Sequence, residues 1–482
     1  MSTKHLHVLG VCGTAMAAIT ALAQAQGWRI TGSDAQVYPP MSDYLAAMGV
    51  DIATFSIDNL QPAPDLCLIG NAMSRGNVEV EYILDHDLPF MSGPAFIGQY
   101  ILPTRHAAVV TGTHGKTSSA SLLAWVLEAA NQQPGFMIGG IPENFGEGAR
   151  LGKSAAHSPF VLEGDEYDTA FFDKRSKFIH YHAKTLVLNN LEFDHADIFE
   201  DLAAIKTQFA HLLRTIPQSG NIIANADDSN IMDVIRRGCW TPVTTFAAYN
   251  SDNQADWQWQ ALQEDGSHFR LLQDGKSCIE VTWDSIGKHH VSNACAVAAA
   301  ATAMGVSKDT IQYALTSFQG VRRRMTKVGE ANGITIYDDF AHHPTAIAGI
   351  VSSMQAKMKS HMQQNHAGKG SLWVVLEPRS NTMRSNIHQD RLPISLQSAD
   401  QVIFTPPATR NMEKHDLLDV AKVCQVLQQQ HVQAQVLNDV PQIIQHLSQH
   451  AQAGDVILIL SNGSFDGIHQ KLLQSLATNS SS

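Results

Sequence analysis

Short apolar runs that end in turn residues recur from the start of the chain. LHVLGVCG, WRITGSD, DLCLIGNA and LPFMSG read as buried strands, with helically spaced apolar positions between them. That alternation predicts a parallel α/β sheet. A second unit begins at HAAVVTGTHGKT, where a helical pattern follows directly on the glycines, and continues through KTLVLNNLEFDH and NIIANADD. Between residues 251 and 284 the texture changes to ADWQWQAL, SHFRLLQDG and CIEVTWD, alternating runs with an Asp-Gly turn that predict a small antiparallel sheet. GITIYDDFAHHPTAI and SLWVVLEPRS open a third α/β pattern, which closes at DVILILSNGSFDGIHQKLL. The pattern predicts domains over 1–107, 108–321 and 322–482, with the polar stretch KMKSHMQQNHAGKG as a surface loop.

The length of 482 residues fits about three domains. A composition 44% hydrophobic and 16% charged supports globular cores. Lysine and arginine total 33 against 45 acidic residues, a net charge of −12, which argues against a nucleic-acid or anionic-membrane surface. No apolar run has the length of a membrane span, and MSTKHLHVLG has no signal-peptide core. Six scattered cysteines without a C-x-x-C pair fit a reducing cytoplasm, and no obligate protein partner is evident.

The stretch VVTGTHGKTSSASLLAWVLEAA departs from the usual phosphate-binding loop, because Val110 stands where its first glycine belongs. The shortened loop Gly112-Thr113-His114-Gly115-Lys116-Thr117 keeps what the physics needs. Its glycines let backbone N–H groups turn toward phosphate, and the following helix points its positive end at the same place. Lys116 is expected on the β- and γ-phosphates of ATP, with the Thr117 hydroxyl on Mg²⁺. Mg²⁺ also needs hard oxygen ligands. FVLEGDEYD offers Glu163, Asp165, Glu166 and Asp168, while LVLNNLEFDHADIF offers Glu192, Asp194, His195 and Asp197, both after strand-like runs.

HVLGVCGTAM followed by Asp34 imitates a dinucleotide fingerprint, although Cys12 and Ala15 replace its second and third glycines. Gly10 and Gly13 still permit a tight turn with a pyrophosphate at the helix start beside Thr14, so a nicotinamide cofactor and a sugar nucleotide are rivals here. VRRRM sets Arg322, Arg323 and Arg324 at a domain boundary, where one arginine is able to swing onto a transferring phosphoryl group. In LEPRSNTMR, Arg379, Ser380, Asn381 and Arg384 suit a zwitterionic amino-acid head, guanidinium to carboxylate and amide oxygen to ammonium.

Together GTHGKT, EGDEYD, NNLEFDHAD, GKHHVSNACA and YDDFAHHPT resemble the Mur ligases, in the family's order and across essentially the whole chain. The resemblance implies a Rossmann-like N-terminal UDP-sugar domain, a central P-loop ATPase domain and a C-terminal Rossmann-like domain for the amino component. It implies ATP and Mg²⁺ as cofactors, with Thr117 and Glu163 at one Mg²⁺ and His195 at a second metal. It places His290 and Asn293 near adenine, and brings one of Arg322, Arg323 and Arg324, with Asp339, to ATP on closure, Arg323 being assigned to the ATP site and Arg324 with Lys116, Glu163 and His195 to the catalytic group. SDAQVYPPMS, GNAMSRGN, FFDKRSKF, LEPRSNTMR and SNGSFDGIHQKLL resemble the branch that joins UDP-N-acetylmuramate to L-alanyl-γ-D-glutamyl-meso-diaminopimelate. Asn71, Ser74 and Arg75 are then expected with Asp34 at the UDP-sugar. Two departures stand out: the position of the family's carbamylated lysine falls at Phe209 or Ala210, and His290 replaces a more usual asparagine. Rival readings are a ligase of the same chemistry that adds L-alanine, a nicotinamide oxidoreductase, and a nucleotide-binding protein without catalysis.

Overall fold

The computed structural model describes residues 3–37, 41–194, 198–365, 370–409 and 414–478. Its strands form three large sheets, one for each unit of the sequence pattern, and a two-stranded hairpin (Asp168–Ala170 with Asp173–Ser176). The first large sheet has five parallel strands in the order Asp51–Ala53, Arg29–Ser33, His5–Leu9, Leu66–Ile69 and Phe90–Ser92.

The central sheet has ten strands. Its heart is Asn221–Asn225, Thr185–Leu188, His106–Thr111 and Pro159–Gly164, all parallel. These strands are unbroken apolar runs because helices cover both faces. One cover is Lys288–Ala303, an alanine-rich helix whose residues Asn293–Ala301 are all buried, so its backbone approaches the sheet closely. The antiparallel strands Trp257–Ala261, His268–Gln273 and Lys276–Thr282 do not form a sheet of their own. They extend the central one, because Trp257–Ala261 pairs in parallel with Val243–Ala248. The Asp-Gly turn between the last two is present as Asp274 (φ 51°) and Gly275 (φ 74°).

The third sheet runs Thr326–Ala331, Ile334–Asp339, Val456–Leu460, Leu372–Leu376, Gln401–Phe404 and Gln433–Val436, antiparallel only at its first pair. Most of the expected polar loop is helical instead. Helix Pro344–Asn365 runs on through KMKSHMQQN, since its buried face includes Met354 and Met358, and residues 366–369 lie outside the described ones.

Strand register assembles the site. In the central sheet Thr111 pairs with both Gly164 and Leu188, so the chain leaves all three strands at one level. The phosphate loop, the EGDEYD element and NNLEFD thus share one edge. In the third sheet Asp339, Leu376 and Leu460 are likewise level. The connection between these sheets is pinned: Pro142 bridges Val321, and the Arg322 N–H donates to the Ile141 carbonyl. Among the described residues no helix is long and apolar enough to cross a membrane, and the six cysteines are free thiols.

Candidate active site

Between these strand ends lies a cavity of about 790 Å³ lined from all three sheets, by Thr14, by the loop 113–118 and by residues such as Arg324, Asp339 and Asn381. Its floor is the shortened loop. Gly115 caps helix Lys116–Ala129 in the left-handed region (φ 77°), and Gly112 has φ 141°. NNLEFD holds this loop: the Asn190 carbonyl accepts from the Thr113 N–H at 3.0 Å, and its side-chain oxygen accepts from the His114 N–H at 2.7 Å. Thr113 Oγ1 accepts from the Glu192 N–H at 2.8 Å. The sequence motifs contained Asn190, but only pairing of the two strands shows it to be the loop's clamp.

The acidic residues divide by partner. Glu166, almost fully buried, accepts from Lys116 Nζ at 3.0 Å, and Asp165 lies 4.0 Å from the same ammonium. Burial works to lower the Lys116 pKa, but these carboxylates outweigh it and the net shift is upward. Glu163 Oε2 accepts from Thr117 Oγ1 at 3.1 Å, and Oε1 from the Gly139 N–H at 2.7 Å. Burial, and then the charge of Asp165, pushes Glu163 up to about 7. Asp168 instead pairs with the exposed Lys174. Glu192 accepts from Thr345 Oγ1 at 2.7 Å and Arg391 Nη2 at 3.2 Å, with His114 and His343 within 4 Å. His195 and Asp197 lie outside the described residues.

Of the three arginines, Arg324 reaches the phosphate loop, its Nη2 donating to Thr117 Oγ1 at 3.3 Å with its guanidinium over the Phe340 ring. Arg323 lines the cavity, but its guanidinium is engaged within the C-terminal domain by Asp338 and the carbonyls of Ser461 and Gly463. Arg322 is half-exposed and pairs with Glu143. Arg323 (φ 60°) and Met325 (φ 51°) are both left-handed without being glycine. Asp339 stabilises this strained turn by accepting from the Met325 and Ala341 N–H groups, each at 2.7 Å. Burial raises the Asp339 pKa to about 6, against the pull of Arg324.

His290 lies in the cavity wall, its pKa driven well down by burial and then by His289 and Arg324. Asn293 sits against the phosphate loop, its side-chain oxygen accepting from Asn189 Nδ2 at 3.4 Å. Lys206 is paired with Asp233, which gives it no place beside Glu163.

The remaining expected residues are spread more widely. In the N-terminal sheet Gly10 (φ 74°) and Gly13 make the turn before helix Thr14–Ala25. Asp34 accepts from the Cys12 and Gln36 N–H groups, both at 2.9 Å, so its carboxylate braces this turn. Asn71 and Ser74 are exposed nearby, and Arg75 is held by Glu81 in a two-pronged pair. Apart from Thr14, these residues do not line the large cavity. Ser380 and Asn381 do line it; Ser380 caps a helical turn, and Asn381 Oδ1 accepts from Arg384 Nη2 at 2.7 Å. Arg379 lies outside the lining, half-exposed beside Glu377, with its chain against Gly463.

Three family descriptions span the chain: Mur ligase family, catalytic domain, over residues 5–104; Mur ligase middle domain, over 110–301; and Mur ligase, glutamate ligase domain, over 323–463. The chain belongs to the Mur ligases, ATP-dependent enzymes that form amide bonds. Within that family it is similar to the Escherichia coli UDP-N-acetylmuramate--L-alanyl-gamma-D-glutamyl-meso-2,6-diaminoheptandioate ligase, at 45% identity over 98% of each chain. The crystal structure of a murein peptide ligase from Psychrobacter arcticus matches 98% of this chain and 99% of that one, at 41% identity and a TM-score of 0.70. A UDP-N-acetylmuramate--L-alanine ligase of Burkholderia cenocepacia is 28% identical over 98% of each chain.

Proposed function

We propose that this enzyme joins UDP-N-acetylmuramate to L-alanyl-γ-D-glutamyl-meso-diaminopimelate, a cytoplasmic step that returns wall peptide to peptidoglycan synthesis. The observation that carries the reading is the greater similarity to ligases of that tripeptide than to those of L-alanine, sustained along almost the full length. The reading takes domain boundaries at 107 and 321 and assigns no obligate protein partner.

A carboxylate is a poor acyl donor, which is why ATP is needed. The lactyl carboxylate oxygen attacks the γ-phosphorus, ADP departs, and an acyl phosphate forms. The tripeptide α-amine then attacks the acyl carbon, the C–O bond to phosphate breaks, and the nitrogen loses its proton. Both steps carry negative charge between oxygens, which Lys116 and Arg324, both lining the cavity, stabilise. Gly112, Thr113, His114 and Gly115 offer the backbone that cradles the phosphates, while His290 and Asn293 lie on the nucleotide side with Asp339 holding the arginine turn. Thr117 and Glu163 fit a hard cation, because a hydroxyl oxygen and a carboxylate oxygen stand 3.1 Å apart beside the phosphate loop, the oxygen donors that Mg²⁺ takes. Mg²⁺ bound there would neutralise phosphate oxygens. His195 is the candidate for a second metal. Gly10, Gly13, Thr14, Asp34, Asn71, Ser74 and Arg75 are assigned to UDP-N-acetylmuramate, and Arg379, Ser380, Asn381 and Arg384 to the peptide. Water would destroy the acyl phosphate, so the three-domain cavity closes before chemistry.

The deciding experiment supplies ATP, Mg²⁺ and UDP-N-acetylmuramate with either the tripeptide or free L-alanine, and measures phosphate release and product mass. Amide product with the tripeptide alone is expected. Efficient turnover of L-alanine with none of the tripeptide would overturn the assignment.

A further inference from the structure

Beside the phosphate loop, and apart from the Thr117–Glu163 pair, three further side chains converge from separate parts of the chain. His114 comes from the loop, Glu192 from the segment after strand Thr185–Leu188, and His343 from the third domain. One ligand atom of each lies within 4.8 Å of the others. His114 Nε2 is 3.8 Å from Glu192 Oε1, and His343 Nδ1 is 3.9 Å from Glu192 Oε2. Both separations are too long for hydrogen bonds. They are about half an ångström longer than the roughly 3.3 Å between donors of a tetrahedral site with bonds of about 2.0–2.1 Å, so a bound ion would draw the side chains together.

We infer that His114, Glu192 and His343 form a site for one divalent transition-metal ion of the Zn²⁺ class, distinct from the hard-oxygen site at Thr117 and Glu163. Two imidazoles and a carboxylate are the donor set that zinc favours and Mg²⁺ does not. His114 Nε2 is buried without a hydrogen-bond partner among the described residues, so no existing bond must break for it to ligate. The two rings lie 4.4 Å apart, and burial lowers the pKa of each; His343 Nδ1 accepts from the Thr345 N–H at 3.3 Å, a long bond that ligation would replace. Glu192 Oε2 is shared without an ion by Thr345 Oγ1 at 2.7 Å and by Arg391 Nη2 at 3.2 Å. Arg391 is half-exposed and otherwise hydrogen-bonded only to Thr345 Oγ1, at 3.1 Å, among the described residues, so it is the group expected to yield when the ion enters. A bound ion would tie the phosphate loop to the third domain across the cleft.

The test is titration of the whole protein with Co²⁺ under saturating Mg²⁺, followed by visible absorption, without ATP or acceptor, so that its failure leaves the ligase reading untouched. One equivalent is expected to give the intense spectrum of four- or five-coordinate cobalt. Glu192→Gln and His343→Ala should each weaken binding at least about tenfold, loss of a ligand being no milder than the 10–100-fold of an outer partner. Glu163→Gln should leave it unchanged. A zinc-soaked crystal should show its anomalous peak between the three side chains. Absence of the spectrum in the unmodified protein, undiminished binding in both ligand variants, or equal loss in Glu163→Gln would overturn the site.

Discussion

Replacing Gly115 by alanine tests whether the tertiary packing around the phosphate loop is as tight as its geometry indicates. Two costs are separable. Gly115 has φ 77°, and holding a residue with a Cβ in the left-handed region costs about 1–2 kcal/mol. An added Cβ would also lie 2.9 Å from both Oδ1 and Nδ2 of Asn293, and 3.3 Å from its Cγ. Asn293 cannot yield freely, because its Oδ1 is held by Asn189 and its side chain is buried under the loop. Pushing it aside and leaving that amide unpaired costs roughly 1–3 kcal/mol more. Gly115→Ala should therefore destabilise the protein by about 2–5 kcal/mol in urea unfolding, by summing those two ranges. It should also raise the half-saturating ATP concentration, since the displaced residue starts the helix facing the phosphates. In an Asn293→Ala background the steric part disappears, and the same substitution should cost only the conformational part, about 1–2 kcal/mol. An equal cost in both backgrounds, or a loss below about 0.5 kcal/mol in the unmodified protein, would refute the packing argument.

Lys116→Ala should abolish ADP formation while leaving the far-ultraviolet dichroism unchanged; normal turnover would remove Lys116 from the phosphate site. Glu163, pushed up to about 7, holds a proton in the folded state that the unfolded chain has already released above the ordinary carboxylate range. Its contribution thus favours folding at acid pH and is lost as pH climbs toward about 7, so Glu163→Gln should flatten that decline in unfolding midpoint measured against pH. Because a metal competes with that proton, the half-saturating Mg²⁺ concentration should fall as pH rises to about 7 and level off above it; a pH-independent requirement would move the metal elsewhere. Arg379→Ala and Asn381→Ala should raise the half-saturating tripeptide concentration about ten- to a hundredfold, with ATP and UDP-N-acetylmuramate unaffected in steady-state kinetics. Equal effects on all three substrates would make the segment structural.

Local signals carried much of this protein. The glycines of GTHGKT have positive φ where a backbone must turn toward phosphate, and the helix begins at Lys116 as the spacing requires. The alternation of buried strands with amphipathic helices marked all three sheets, since buried parallel strands have no polar face to interrupt them. The sequence alone also made legible the Asp274-Gly275 turn and the family-level motifs. It fell short where the deciding term was not local: it placed the antiparallel strands but not their joining of the central sheet through the edge pairing at Val243–Ala248, and it read as a loop the stretch that helix Pro344–Asn365 runs through with one face buried.

Which acid does what was beyond the spacing alone, because Glu163, Asp165 and Glu166 are alike in chemistry and crowd one short segment; only the family resemblance singled out Glu163. Their division between Thr117 and Lys116 comes from a strand register that places residues more than forty positions apart side by side. The choice of Arg324 over Arg322 and Arg323 is likewise three-dimensional: a turn with Arg323 and Met325 in left-handed backbone aims Arg324 at Thr117, while Arg322 pairs with Glu143 and Arg323 with Asp338. Asn190 as a clamp, and His343 opposite His114, depend on chain segments that meet only after the sheets have formed. Propensity and periodicity act over a few neighbours and so are written along the chain, whereas the charge and burial felt by one side chain depend on what folding brings across from elsewhere.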